Sequence, residues 1–172
     1  MRIGDICSHS VVTCRRDTRV AEVAKMMRDR HVGAIVVVDS RTDQRPCPVG
    51  ILTDRDLVVQ VMAQGVNTDD LLAGDLIGGL LTRANERETV YDAVWHMRGH
   101  GVRRLPVVDE HDGLVGILAV DDVMRVLAEA MVDVSRTVPQ QIEKERSVRS
   151  GHGRLEIPQQ PSCPARQTGS CP

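Results

Sequence analysis

The chain has 172 residues, 41% of them hydrophobic, with 22 basic and 24 acidic side chains for a net charge of −2. That near-neutral balance gives no electrostatic basis for nucleic acid or an anionic membrane as the main partner, and no apolar run reaches the length of a membrane span. With no Phe, one Tyr and one Trp, the core has to come from Val, Leu, Ile, Met and Ala, and Tyr91 and Trp95 cannot build a base-stacking platform.

The N-terminus, Met1-Arg2-Ile3-Gly4-Asp5, lacks the apolar segment of a signal peptide and reads as the start of a folded module. The five cysteines (Cys7, Cys14, Cys47, Cys163 and Cys171) are odd in number and irregularly spaced, which does not suggest a secreted disulfide framework. A cytoplasmic protein is expected.

Along the chain, Val11-Val12-Thr13 predicts a short strand. Val20, Val23, Ala24 and Met27 then fall at i, i+3, i+4 and i+7, the apolar stripe of an amphipathic helix that Gly33 should end. The run from Ala34 to Val38 is apolar and β-branched, the signature of a strand buried on both faces. A polar loop follows, then a strand at Val49-Gly50-Ile51-Leu52, and Thr53-Asp54 stands where a helix N-cap belongs. That helix should run from about Arg55 to Gln64 and stop at Gly65.

The order then recurs. A strand is predicted over residues 80–82, and Val90, Ala93, Val94 and Met97 repeat the helical stripe. Strands follow over residues 104–108 and 115–118, and a helix begins near Asp121. Residues 132–149 read as a polar helical extension broken at Pro139, and residues 150–172, rich in Gly, Pro, Gln and Ser, as a disordered tail.

The recurrence is a repeat in the residues themselves. Residues 20–39 superpose on 90–109 with seven of twenty identities, and residues 49–56 on 115–122 with five of eight. The offsets, 70 and 66, differ because the first copy has the longer loop. The predicted fold is α/β (α+β), two β-α-β-β-α units over residues 1–66 and 67–131. Each unit alone is too small to bury a sufficient core, so the two are expected to pack as one pseudo-two-fold body.

Two such units, each ending Gly-hydrophobic-x-(Thr/Ser)-x-x-Asp, resemble a pair of cystathionine-β-synthase (CBS) domains, a Bateman module. Gly50-Ile51-Leu52-Thr53-Asp54-Arg55-Asp56 fits the motif fully, and Gly116-Ile117-Leu118-Ala119-Val120-Asp121-Asp122 departs from it at Ala119. Arg103-Arg104-Leu105-Pro106-Val107-Val108-Asp109 resembles the family's second-strand signature. The resemblance spans about residues 1–131 and implies a stand-alone regulatory module, not an enzyme. It implies an adenosyl ligand such as AMP, ADP, ATP or S-adenosylmethionine in a cleft between the repeats, a homodimer, and a protein partner acted on in trans.

The residues suit that chemistry. An ionised carboxylate accepts both hydroxyls of a ribose, and Asp56 stands in the first turn of a helix, where the macrodipole favours its charge. Thr53 offers a hydroxyl to sugar or phosphate, and the N–H groups around Asp54 can meet an anion. In the family, basic residues at the place of Arg103 and Arg104 reach phosphates held by the other repeat. Val12, Thr13 and Ile35 are expected to flank the base. Thr53, Asp54 and Asp56 also read simply as a helix start, and the arginines as a solvated pair. The Asp122 site has lost its hydroxyl and faces Gly33-Ala34, so at most one ligand per chain is expected.

His96 and His100, spaced i, i+4, are weak candidates for a metal. Cys7, His9 and Cys14 fit no zinc spacing, and Cys14 reads as a small hydrophobe. A ligand-free interaction module, or a metal- or thiol-responsive sensor, is the alternative reading. No Gly-rich phosphate loop with its lysine, nucleophile elbow or HExxH motif supports catalysis.

Overall fold

A computed structural model describes residues 1–40, 45–68 and 70–151, with the side chains of 138–140, 142, 143 and 145–151 excepted. The chain divides into a unit of residues 1–129 and a second of residues 130–172. The predicted tail over 150–172, with Cys163 and Cys171, lies outside the described residues but for its first two positions.

The first unit holds two three-stranded sheets of the same design. In the first repeat they are β1 (Thr13–Arg15), β2 (Ala34–Asp39) and β3 (Cys47–Thr53), with α1 (Val20–Arg30) between β1 and β2. β2 is central, parallel to β1 and antiparallel to β3. A short α2 (Asp54–Asp56) follows and widens into a π-helix over Leu57–Met62. A connector holding α3 (Ala73–Leu76) leads to the second repeat: β4 (Ala84–Asn85), α4 (Val90–His100), β5 (Arg104–Val108), β6 (Leu114–Ala119) and α5 (Val120–Gly151). Its strand order and senses are the same, and the ladder shifts register at the same place, Val37/Val38 in one sheet and Val107/Val108 in the other.

Four differences from the sequence reading have clear causes. β1 lies two residues later than predicted, because Thr13, Cys14 and Arg15 are the residues that pair with Val36, Val37 and Val38. The strand predicted over residues 80–82 is absent. Leu80 is 99% exposed, and Ala84–Asn85 pairs with Val107 and Val108 instead. The stripe of α4 is narrower than expected, with Ala93 and Met97 buried while Val94 faces outward. α5 also continues through Pro139 to Gly151 with no break there. One proline removes one i→i−4 bond, and the neighbouring turns hold the helix.

The chain's leading segment is exchanged between repeats. A 3-10 turn at Ile3–Asp5 docks on the second repeat, where Ile3 and Gly4 donate their N–H groups to the carbonyls of Glu88 and Glu86, both at 2.9 Å. Ser8 and Ile117 exchange a further pair of backbone bonds at 2.9 Å. The connector does the reverse, since the N–H groups of Ala73 and Gly74 reach Thr18 and Arg16 carbonyls of the first repeat at 2.8 and 2.9 Å. The approach is close enough to favour glycine, because a Cβ on Gly4 would lie 3.2 Å from the Glu86 carbonyl and one on Gly74 3.2 Å from that of Arg16.

The two cores follow this exchange. One gathers Ile3 and Cys7 with Ala93, Met97, Leu105 and Leu118, and the other gathers Ala73 with Val23, Met27, Ile35 and Leu52. Neither contains an aromatic ring, and each fully buried aliphatic side chain contributes about 1.5–3 kcal/mol by leaving water.

Candidate functional site

β3 ends at Thr53 because its hydroxyl and the Asp56 carboxylate form a reciprocal cap. Asp56 Oδ2 accepts the Thr53 N–H at 2.8 Å and its hydroxyl at 2.6 Å, and Thr53 Oγ1 accepts the Asp56 N–H at 3.3 Å. The Thr53 hydroxyl is therefore committed to the carboxylate and is not turned toward a ligand. Asp56 Oδ1 is different. Among the described residues its one hydrogen-bond partner is the Gln60 amide at a long 3.4 Å, so it keeps acceptor capacity for a stronger donor.

Asp56 and Gln60 line a cavity of about 330 Å³, with Val49 and Ile51 of β3 on one side. The connector from Leu76 to Thr82 forms another wall. Val102 and Arg104 of the second repeat complete it. The volume lies at the lower end of small-molecule pockets, and polar groups share its walls with apolar ones. Ile77 packs so closely over Gly50 that a Cβ there would stand 2.8 Å from the Ile77 Cβ.

Of the predicted residues, the structure brings Asp56 and Arg104 to one cavity and leaves the rest outside its walls. Arg103 is exposed, and its carbonyl receives the Val120 N–H at 2.9 Å. Asp54 lies beside Gly33, and a Cβ on Gly33 would sit 3.3 Å from Asp54 Oδ2 and 3.8 Å from Arg104 Nη2. Gly33 thus has the Asp54 carboxylate close above it, with the Arg104 guanidinium of the second repeat nearby at ordinary contact distance. Ile35 is fully buried in the first core, Val12 packs against the same core, and Thr13 sits in the β1 ladder. These three do not flank the cavity. The position 70 residues after Val12, Thr82, does line the cavity, as does Val102 two residues before β5.

At the second motif, Asp122 Oδ2 accepts the Ala119 N–H at 2.9 Å, and Arg125 Nη2 stands 3.9 Å from Oδ1. The residue matching Arg104 there is Ala34, so that carboxylate has no basic counterpart of the kind Arg104 supplies to Asp56. Gln60 and the connector residues went unrecognised in the sequence. The alignment offset identifies Thr82 and Val102, but nothing local marks Gln60.

The weaker candidates do not converge. His96 Nε2 points to Glu88 Oε2 at 3.2 Å, while His100 Nδ1 pairs with the carbonyl of His96 at 3.0 Å. Among the described residues no three His, Cys, Asp or Glu groups could hold one metal ion. His9 Nδ1 contacts the Val115 carbonyl. Burial pushes the Cys14 thiol up to about 11 and raises that of Cys7 as well, which starves both of the reactive thiolate. Cys7 and Cys14 are therefore expected to resist iodoacetamide in the folded chain at pH 8 and to label only on unfolding. Peptide mapping would show this, and rapid native labelling of Cys14 would contradict the burial described here.

The chain belongs to the CBS domain family, whose profile matches it twice, over residues 3–63 and 75–129. An uncharacterized protein of Methanopyrus kandleri is 34% identical over 124 residues, which are 72% of this chain and 61% of that one. Among solved structures, Hypoxic Response Protein I with two coordinated zinc ions aligns at a TM-score of 0.63 and 30% identity, over 73% of this chain and 98% of that one. Its namesake in Mycobacterium tuberculosis is 31% identical over 127 residues. A CBS domain protein of Pyrobaculum aerophilum complexed with AMP shares the fold at a TM-score of 0.63 and 24% identity, covering 71% and 89% of the two chains. The CBS pair of protein MJ0100, in complex with 5-methylthioadenosine and S-adenosyl-L-methionine, does so at 0.65 and 23%, covering 76% and 98%.

Proposed function

We propose that the chain is a cytoplasmic, non-catalytic regulatory module, a homodimer that binds one adenine nucleotide or related adenosyl ligand between its repeats and signals to a protein partner in trans. The observation that carries this reading is the meeting of Asp56 from one repeat and Arg104 from the other in a single cavity. Asp56 Oδ1 accepts the ribose hydroxyls in place of the long Gln60 bond, Arg104 takes the phosphate, and Val49, Ile51 and Val102 face the base. The AMP and S-adenosyl-L-methionine complexes of proteins with this fold support the ligand class.

Such a site can signal only if the ligand prefers one of two arrangements. Because its walls come from both repeats and the connector, its width follows how the repeats sit against each other. Thermal unfolding of the purified chain against AMP, ADP, ATP, NAD and S-adenosylmethionine tests the reading. A raised midpoint with one of them is expected, and no shift at millimolar ligand would remove the adenosyl reading.

Arg104 gives a sharper result. Arg104→Ala is expected to weaken AMP binding about tenfold, as loss of one charge-assisted bond does, while adenosine binding stays nearly unchanged. Calorimetric titration of both ligands checks this. Equal losses for the two would mean that Arg104 shapes the cavity and does not hold phosphate.

A further inference from the structure

The first motif spends most of its hydrogen-bonding groups on itself. Asp56 Oδ2 accepts both the N–H and the hydroxyl of Thr53, and Thr53 Oγ1 accepts the Asp56 N–H. Oδ1 is the carboxylate oxygen left for a ligand, and Gln60 stands beside it. A carboxylate oxygen only accepts, so the amide must turn its nitrogen toward it, and Nε2 lies 3.4 Å away.

Gln and Asp four residues apart can support a helix by pairing, but 3.4 Å is beyond the ordinary length of a hydrogen bond. The segment that carries Gln60, Leu57–Met62, is a π-helix, a form that is rare and recurs at functional sites. Both side chains are half-buried and both line the cavity that Arg104 lines from the second repeat.

Two atoms at that spacing can both lie within ordinary hydrogen-bond distance of a third. To bond to both, the third atom must donate to the carboxylate and accept from the amide. A hydroxyl does both. A carbonyl or phosphate oxygen only accepts and would meet the carboxylate lone pairs. An ammonium only donates and would meet the amide hydrogens.

We propose that Gln60 makes the cavity specific for a free ribose hydroxyl, which sits between Asp56 Oδ1 and Gln60 Nε2, donating to the first and accepting from the second. The ligand thus replaces one long bond with two of ordinary length. The proposal rests on the adenosyl reading above and narrows it to ligands whose ribose carries that hydroxyl unsubstituted. A site built to bond a hydroxyl discriminates against the analogue that lacks it.

The test is calorimetric titration of AMP, 2′-deoxy-AMP and 3′-deoxy-AMP into the full chain and into Gln60→Met, which keeps the side-chain length and removes the amide. Wild type is expected to bind AMP more tightly than either deoxy form. Gln60→Met is expected to bind AMP about three- to tenfold more weakly, the effect of one neutral hydrogen bond. It should bind one of the two deoxy forms as wild type does or slightly better, since Oδ1 no longer has the amide to displace. Gln60→Ala should show the same pattern, which separates loss of the bond from a misplaced methionine. An equal loss for all three nucleotides would mean that the side chain only shapes the cavity, and would overturn the proposal. Unchanged AMP affinity in both variants would overturn it as well. A wild type that bound AMP and its deoxy forms alike would overturn it and leave the adenosyl reading standing, whereas a wild type that bound none of the three would take the AMP reading with it.

Discussion

Asp56→Ala is expected to abolish the rise in unfolding midpoint that an adenosyl ligand gives the wild-type chain. At about a hundred times its dissociation constant a ligand adds about 2.7 kcal/mol, and that whole increment should vanish. The same change removes the carboxylate half of the reciprocal cap at α2 and leaves the Thr53 N–H without its acceptor, so the ligand-free chain should also lose about 1 kcal/mol. Asp122→Ala separates the two effects. Its carboxylate accepts the Ala119 N–H at 2.9 Å, so its loss should cost a comparable cap and leave the ligand shift intact. If both substitutions abolished the shift, the cap would be what matters; if neither did, Asp56 would not be the ribose acceptor.

Ile3→Ala should be among the most damaging single changes in the first unit, although Ile3 precedes every strand. Its side chain is fully buried among residues of the second repeat, and truncating a buried isoleucine costs about 2–5 kcal/mol. Removing residues 1–8 takes Cys7 from the same core and also leaves the carbonyls of Glu86 and Glu88 and the N–H and carbonyl of Ile117 without these backbone partners. The shortened chain is expected to lose cooperative unfolding in the second repeat, more than eighty residues away in sequence, while hydrogen exchange in β2 and β3 is disturbed least. A chain of residues 9–131 that melted at the full-length midpoint would refute the account. By the same reasoning residues 1–66 should not fold alone, because Ala73 is missing from their core.

Much of this was legible in the sequence. β2 and β5 are continuous β-branched or apolar runs, and they form where the pattern places them because a central strand buried on both faces admits nothing else. The motif at residues 50–56 announced both a cap and a candidate carboxylate, and the structure uses one oxygen of Asp56 for the first and leaves the other for the second. What could not be read is what depends on the other repeat. The strand at Ala84–Asn85 is two residues long and defined only by its partners Val107 and Val108.

Ile35 looks like any other strand residue until the helix packing against it is known. The exchanged segment was in principle visible, since Gly4-Asp5 and Gly74-Asp75 stand at the same offset of 70 as the helices. A two-residue match gains meaning only once each glycine is seen pressed against a carbonyl.

The π-helix at Leu57–Met62 has a consequence for the comparison of the two halves. In the second repeat the helix after the motif buries Val126, four positions past Asp122; in the first it buries Val61, five positions past Asp56. One extra residue per turn has moved the helix out of phase by about 100°. The residue displaced from the core-facing slot is Gln60, a polar amide delivered to the ceiling of the cavity beside Asp56. The duplicated halves have thus diverged in angle as well as in composition. A one-residue deletion between Leu57 and Met62 would bring the first half back into step with the second and rotate the amide out of the chamber.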